Sequence, residues 1–412
     1  MTQAAAPSRP PMLTMAQALD ALLGAARPLA QLESIDTLHA NGRVLAAPVT
    51  STLRVPPADN TSMDGYAMRA GDVPAAGTRL RVSQRIPAGH VGTALEPGTA
   101  ARIFTGGLIP PGADAVVMQE QCTAEGEDVI VNHVPQSGEW VRRAGEDIEA
   151  GSVILPAGTR LTPQALGLAA SVGQAKLDVV RRVRVAVFFT GDELAMPGEP
   201  LKPGAIYNSN RFTLRGLLEN LGCEVSDFGI VPDTLAATRE TLRRAAQGHD
   251  LIITSGGVSV GEEDHIKPAV EAEGRLDMWQ IAIKPGKPLA FGQVNNDAGP
   301  AFFLGLPGNP VSSFVTFLLF VRPFILRLQG VAGVTPRRLP LRADFELNKG
   351  DRRNEFLRAR INAEGGLDLF PNQSSGVLTS TVWGDGLIDN PPNQPIARGD
   401  TVQFIPFDGL LA

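Results

Sequence analysis

Val183-Arg184-Val185-Ala186-Val187-Phe188-Phe189-Thr190-Gly191-Asp192-Glu193 decides the fold class. An apolar run of this length, ending abruptly in glycine and acids, reads as a strand buried on both faces. The chain beyond it alternates in kind: a capped helical stretch at 209–221, a strand at 224–229, a charged helix at 235–247 and a strand at 251–254. Further strands at 288–293 and 302–306 precede an apolar helix at 311–328. Apolar strands alternating with helices imply a parallel sheet covered on both faces, so residues 182–330 are assigned to an α/β domain.

Outward from this core the texture changes twice. Residues 14–26 carry apolar side chains at helical spacing with Thr14 as the cap. From 49 to 149 the chain reads as short strands broken by Gly and Pro, at 79–83, 101–104, 115–119 and 129–132, which predicts a small, mostly antiparallel β domain. A helix is expected again at 162–171, with Pro163 at its first position. Its packing on the 14–26 helix would make the β segment an insertion into an elongated helical domain built from 12–48 and 150–181. Residues 331–412 return to short β runs and predict a compact barrel or sandwich. The fold class is therefore multidomain α/β plus β.

Among the 412 residues, 43% hydrophobic and 19% charged side chains indicate a globular protein, and 44 glycines with 33 prolines call for many tight turns. A net charge of −6 excludes a general attraction for nucleic acid or an acidic membrane surface. An anionic substrate would need a local cationic pocket. Cys122 and Cys223 are too few and too far apart for a disulfide framework or a zinc site, and read as buried, inert thiols. The start, 1–11, lacks the apolar stretch of a signal peptide, and the apolar run 314–321 is cut by Arg322 and Pro323. The expectation is a soluble, cytoplasmic protein.

Ligands of open parallel sheets bind beyond the carboxyl ends of the strands. Four such ends carry residues that a plain sheet does not need: Thr190-Gly191-Asp192-Glu193, Ser255-Gly256-Gly257-Val258-Ser259-Val260-Gly261, Ile283-Lys284-Pro285-Gly286-Lys287-Pro288 and Leu306-Pro307-Gly308-Asn309-Pro310. Glycine admits close backbone approach, and successive N–H groups form anion nests. Lysine supplies point charges for phosphate, and carboxylates beside it suit Mg²⁺. Taken singly, each has an ordinary explanation. A Gly-Gly is most often a tight turn, the acids 262–264 complement a helix dipole, and the lysines are solvated. Their recurrence at successive strand ends favours a polyanion site that includes Ser255, Gly256, Gly257, Lys287, Pro307 and Pro310.

The G-x-S-x-G elbow at 257–261 offers a different class, a serine hydrolase. That chemistry needs an acid and then a histidine after the serine. Only His265 follows Ser259, six residues on, so the elbow is weak. There is no phosphate-binding P-loop and no G-x-G-x-x-G fingerprint. A third class is a ligand-binding or scaffold module without turnover.

The β segment has its own polar turns, Asn60-Thr61-Ser62-Met63-Asp64-Gly65-Tyr66-Ala67, Arg102-Ile103-Phe104-Thr105-Gly106-Gly107 and Arg143-Ala144-Gly145-Glu146-Asp147-Ile148. With Thr190-Gly191-Asp192-Glu193-Leu194, the 255–261 and 283–288 runs, and Leu306-Pro307-Gly308-Asn309-Pro310-Val311-Ser312, these resemble the molybdopterin molybdenumtransferases, the family that includes the C-terminal domain of gephyrin. The resemblance runs from about residue 12 to the end with the motifs in order.

It implies four subdomains, the last a β barrel, and a homodimer in which one subunit's β insertion faces the partner's α/β and C-terminal domains. It further implies a reaction of adenylylated molybdopterin with molybdate and Mg²⁺, releasing AMP. Contacts with the pterin adenylyltransferase and with molybdoenzyme maturation proteins are implied as well. By motif, Asp64, Glu193, Asp264 and Lys284 correspond to catalytic positions, with Glu193 and Asp264 on the metal. Thr105, Asp147, Asp233, Arg358 and Ser375 correspond to substrate positions, and donor chemistry suits Arg358 and Ser375 to an oxyanion such as molybdate. Two positions depart from relatives: Gln280, where a basic residue is common, and Asn208, where Asp is common.

Overall fold

The computed structural model describes residues 12–258 and 265–411. At its centre is a six-stranded sheet in the order Glu224–Val231, Arg184–Thr190, Leu251–Ser255, Ala301–Leu306, Pro288–Val294, Gly274–Gln280. The first four strands are parallel, and the last two form an antiparallel edge, so the sheet is mixed rather than wholly parallel. Only residues 295–300 separate Pro288–Val294 from Ala301–Leu306. That is too short for a parallel crossover, which takes about a dozen residues or more.

Alternate residues of Arg184–Thr190 feed two different cores, which is why the run is apolar at nearly every position. Val185, Val187 and Phe189 pack with Leu214, Leu218, Val315 and Leu318 from the helices Ser209–Asn220 and Pro310–Leu328. Ala186 and Phe188 pack with Leu242, Ala245, Ala269 and Val270 from Leu235–Ala246 and Ile266–Glu273. Each fully buried Val, Leu or Phe contributes about 1.5–3 kcal/mol. The helix Pro310–Leu328 is apolar and long enough to cross a bilayer, yet 94% of its most apolar window is buried inside the protein. It is the central core helix.

Met15–Ala25 is closed at its start by a reciprocal pair. Thr14 Oγ1 accepts from Gln17 N (3.2 Å) and Gln17 Oε1 accepts from Thr14 N (2.9 Å). Its Ala18 and Leu22 join the α/β core, whereas Pro163–Ser171 packs with Ala40, Leu45, Val49 and Leu177. The expected pairing of these two helices is therefore not formed. Strand pairs close the base of the insertion instead: Leu32–Asp36 with Lys176–Val180, and Val49–Thr50 with Val153–Leu155. Segments 12–48 and 150–181 form a mixed stem, not an elongated helical unit. The insertion itself is a six-stranded sheet, antiparallel except where Thr78–Ile86 runs alongside Thr99–Ile103.

In the C-terminal domain, Leu339–Arg342, Thr401–Pro406, Gly386–Asn390, Asn354–Ile361 and Leu367–Leu369 are successive neighbours. A single bridge between Ala343 and Leu367 then brings the two ends of this run together, so the expected compact barrel or sandwich is joined there by a bridge and not by a ladder. Asn354–Ile361 also takes Ile283–Lys284 of the α/β domain as a parallel neighbour, with Lys284 opposite Glu355.

Candidate active site

The four strand ends converge on one cleft of about 740 Å³. Of the candidate site residues, Glu193, Asp233, Ser255, Gly256, Gly257, Lys284, Lys287, Pro307, Pro310 and Ser375 line it. Close approach of the backbone explains two of the glycines. Gly256 has φ +96°, and a Cβ there would stand 2.7 Å from the Thr190 carbonyl oxygen. Gly286 has φ +103°, and a Cβ there would stand 2.5 Å from Thr316 Oγ1. Both turns would be strained by any side chain.

Polar braces fix the strand ends relative to one another. Asn210 Nδ2 donates to Ser255 Oγ and to the Gly308 carbonyl, each at 2.8 Å, and Ser255 Oγ donates to the Pro307 carbonyl at 2.9 Å. The Ser255 hydroxyl is thus engaged within the protein, and what this turn offers a ligand is backbone. Thr190 Oγ1 donates to Asp233 Oδ1 at 3.2 Å, which orients that carboxylate at the cleft edge. Two helices, Ser209–Asn220 and Pro310–Leu328, begin on the cleft wall at Asn208 and Asn309, where their positive ends would favour an anion.

The opposite wall comes from the C-terminal domain: Arg353, Gln373, Ser374 and Ser375. Lys284 Nζ lies 3.0 Å from Glu355 Oε1 and 3.4 Å from Asp351 Oδ2. Arg353 binds Asp351 through Nε (2.9 Å) and Nη2 (3.0 Å), and this guanidinium holds the Asp351 carboxyl well below the usual carboxylate range. A second lobe of about 530 Å³ adjoins this wall, lined by Lys284, Lys287, Lys349, Arg352 and Arg353 with Asp351 as its one acid. Arg353 was missed in the sequence. Its signal was the basic run Lys349-Gly350-Asp351-Arg352-Arg353 immediately before a strand.

Arg358 requires a correction. It does not line the cleft, being 1% exposed inside the C-terminal domain, where burial pushes its guanidinium down to about 10. Its Nε donates to Ser380 Oγ (3.0 Å), Nη1 to the Phe356 carbonyl (3.3 Å) and Nη2 to the Ser374 carbonyl (3.2 Å). It braces the 373–375 loop from behind, and Arg353 is the arginine that lines the main cleft.

Asp64, Thr105 and Asp147 lie on the insertion and do not line the cleft of their own chain. Asp64 Oδ1 accepts from the Thr105 backbone N–H and from its hydroxyl, both at 2.7 Å, and these bonds lower the Asp64 pKa. Asp64 is thus a preset acceptor. Beside it Arg102 lies over the rings of Phe104 and Tyr66, 4.4 and 5.2 Å from their centroids. Ser259 and Asp264 lie outside the described residues. Gln280 ends the edge strand opposite Pro288 and does not line the cleft. Asn208, 2% exposed, accepts from Arg211 N at 3.2 Å and caps Ser209–Asn220, so its amide has a structural task that needs no carboxylate.

For a metal, the described residues hold no group of three or more His, Cys, Asp or Glu. Glu193 and Asp233 both line the cleft, and carboxylates there would suit Mg²⁺, which takes one or two of them and completes its shell with phosphate oxygens and water. Burial pushes the Cys223 thiol up to about 12 and the Cys122 thiol up to about 11, so both are protonated at neutral pH.

Comparison with known proteins places this architecture. Residues 13–173 match the family described as MoeA N-terminal region (domain I and II), 186–327 the probable molybdopterin binding domain, and 339–407 the MoeA C-terminal region (domain IV). A molybdopterin molybdenumtransferase of Haemophilus influenzae is 40% identical over 97% of this chain and 100% of its own length. Another, from Nostoc sp., is 40% identical over 86% of this chain and 84% of its own. The crystal structure of the molybdopterin biosynthesis moeA protein from Pyrococcus horikoshii OT3 superposes with a TM-score of 0.83 at 28% identity, covering 96% of this chain and 100% of that one. The chain belongs to the molybdopterin molybdenumtransferase family.

Proposed function

We propose that this chain is a Mg²⁺-dependent transferase that inserts molybdenum from molybdate into adenylylated molybdopterin, releasing AMP and leaving molybdenum cofactor. The observation that carries this reading is the cleft itself. Lys284, Lys287 and Arg353 meet Glu193 and Asp233 among glycine turns and two helix N-termini, the donor set for a phosphoanhydride with its metal. Lys284 and Lys287 offset charge that develops on the phosphates as the pyrophosphate is cleaved. Glu193 and Asp233 would hold the metal, with Asp264 implied beside them by the family motif. The metal, when bound, supplies charge neutralisation at the phosphate oxygens. Arg353 and the Ser375 hydroxyl are the donors for molybdate, and the backbone at 256–257 and 307–310 packs against the rest of the substrate.

The active form is a homodimer. Asp64 and Thr105 are preset for a ligand yet stand away from their own cleft, which fits delivery of Asp64, Thr105 and Asp147 to the partner's cleft. The protein works in the cytoplasm, receiving its pterin from the adenylyltransferase and passing cofactor to molybdoenzyme maturation proteins. The test is direct. Incubated with adenylylated molybdopterin, Mg²⁺ and molybdate, the purified protein releases AMP in step with cofactor formation. Binding of the pterin with no AMP above background would overturn the enzyme reading in favour of a carrier.

A further inference from the structure

At the boundary between the two lobes of the cleft, one carboxylate holds two of the cations that an anionic ligand needs. Asp351 grips Arg353 edge-on: Oδ1 accepts from Nε at 2.9 Å and Oδ2 from Nη2 at 3.0 Å. Oδ2 also lies 3.4 Å from Lys284 Nζ. Parallel N–H···O bonds on one guanidinium edge are the donors that a tetrahedral oxyanion uses as well. Neighbouring Lys287, Lys349 and Arg352 make no ion pair with a described residue, so the pairing is selective for the two cations nearest the joint of the lobes.

Two features argue that the contact is displaceable rather than a fixed strut. Asp351 is anchored locally, its Oδ1 accepting from the backbone N of Arg353 two residues on at 3.0 Å, so the carboxylate can yield without unpicking any distant element. The pair is also open to water, with Arg353 and Asp351 side chains 28% and 23% exposed. An exposed ion pair reaches about fivefold in an equilibrium constant, and the two parallel bonds put this partly buried pair at least at that end of the range. Glu355 is the contrast. It is 3% exposed, accepts from Lys284 at 3.0 Å and from Asp351 N at 2.9 Å, and so serves as the permanent anchor of the lysine.

We propose that Asp351 is a built-in competitor for the oxyanion: a side chain that pairs with Arg353 and Lys284 and gives them up when a tetrahedral dianion enters. This rests on the proposed transferase function only for naming molybdate as that dianion. The carboxylate sets a threshold on anion affinity through charge, so its removal acts alike on molybdate and on sulfate.

Equilibrium dialysis of the full chain with radiolabelled molybdate or sulfate tests this. Asp351→Asn keeps the acceptor for the Arg353 amide and removes the charge. It tightens both anions by at least about fivefold. Adding Arg353→Gln abolishes the gain. Unchanged or weaker binding by Asp351→Asn, or no binding by either form, would overturn the proposal and make Asp351 a strut for Arg353. Should that variant fail to fold, Asp351→Ser is read in the same way. The proposed function fails by a different result, the absence of AMP release from the unsubstituted protein.

Discussion

Replacing Arg358 with methionine removes a cation that is 1% exposed and has no carboxylate partner among the described residues. Three donors are lost, those to Ser380 Oγ, the Phe356 carbonyl and the Ser374 carbonyl. Hydrogen bonds from a charged group contribute about 1.5–3 kcal/mol each. Against this stands relief from keeping an ion out of water, several kcal/mol for a buried site, while methionine retains most of the apolar stem. The net expectation is a loss of about 2 kcal/mol, within the ordinary range for breaking a buried network. Urea unfolding followed by circular dichroism measures it. The functional effect is indirect, because Ser374 and Ser375 lose a brace but the cleft keeps Arg353. Oxyanion affinity therefore falls by about tenfold or less in Arg358→Met. In Arg353→Met, which deletes two charge-assisted donors to the ligand, it falls by about a hundredfold. An unchanged urea midpoint in Arg358→Met, together with a loss of affinity exceeding that of Arg353→Met, would show that Arg358 turns into the cleft and touches the anion.

Three further outcomes are expected. Gly256→Ala places a methyl group 2.7 Å from the Thr190 carbonyl at φ +96° and weakens pterin binding by about tenfold or more; fluorescence titration giving the parent affinity would show that the turn tolerates the side chain. Asp264→Ala lowers turnover more than pterin binding, and equal losses in rate and affinity assays would reduce Asp264 to a substrate-holding residue. The two thiols have their pKa values raised by burial, so the reactive thiolate is scarce at neutral pH and accumulates only as pH approaches about 11 at Cys122 and about 12 at Cys223. Native protein should therefore alkylate slowly with iodoacetamide at pH 7.5 and quickly once unfolded. Rapid native labelling by mass spectrometry would contradict the burial argument.

The strand ends were legible because turn chemistry is local. Gly256, Gly286, Pro307 and the lysines between them are dictated by backbone conformation and charge within a few residues, and the sequence displays both. Arg353 and Arg358 show where that ends. They are five residues apart around one strand, and only the fold places one on the cleft wall and sends the other inside the domain. Nothing in the sequence distinguishes an arginine that will be buried against carbonyls from one that will face a ligand. The misplaced helix pairing has a similar origin. Met15–Ala25 and Pro163–Ser171 both present an apolar face, but an apolar face does not name its partner. The five-residue strands Leu32–Asp36 and Lys176–Val180, whose pairing ties the stem together, are too short to stand out by alternation.

The parallel pairing of Ile283–Lys284 with Asn354 and Glu355 has a mechanical consequence. The lysine turn is a shared hem, stitched by its chain into the α/β domain and by its hydrogen bonds into the C-terminal sheet. A rigid shift of the C-terminal domain must therefore carry Lys284 with it, together with Arg353, so opening or narrowing the cleft and placing its cations are one degree of freedom rather than two. By the same token the C-terminal domain cannot be trimmed away to leave an intact pterin-binding core. Ending the chain near residue 330 would bare an edge and strip Lys284 of the carboxylate that anchors it.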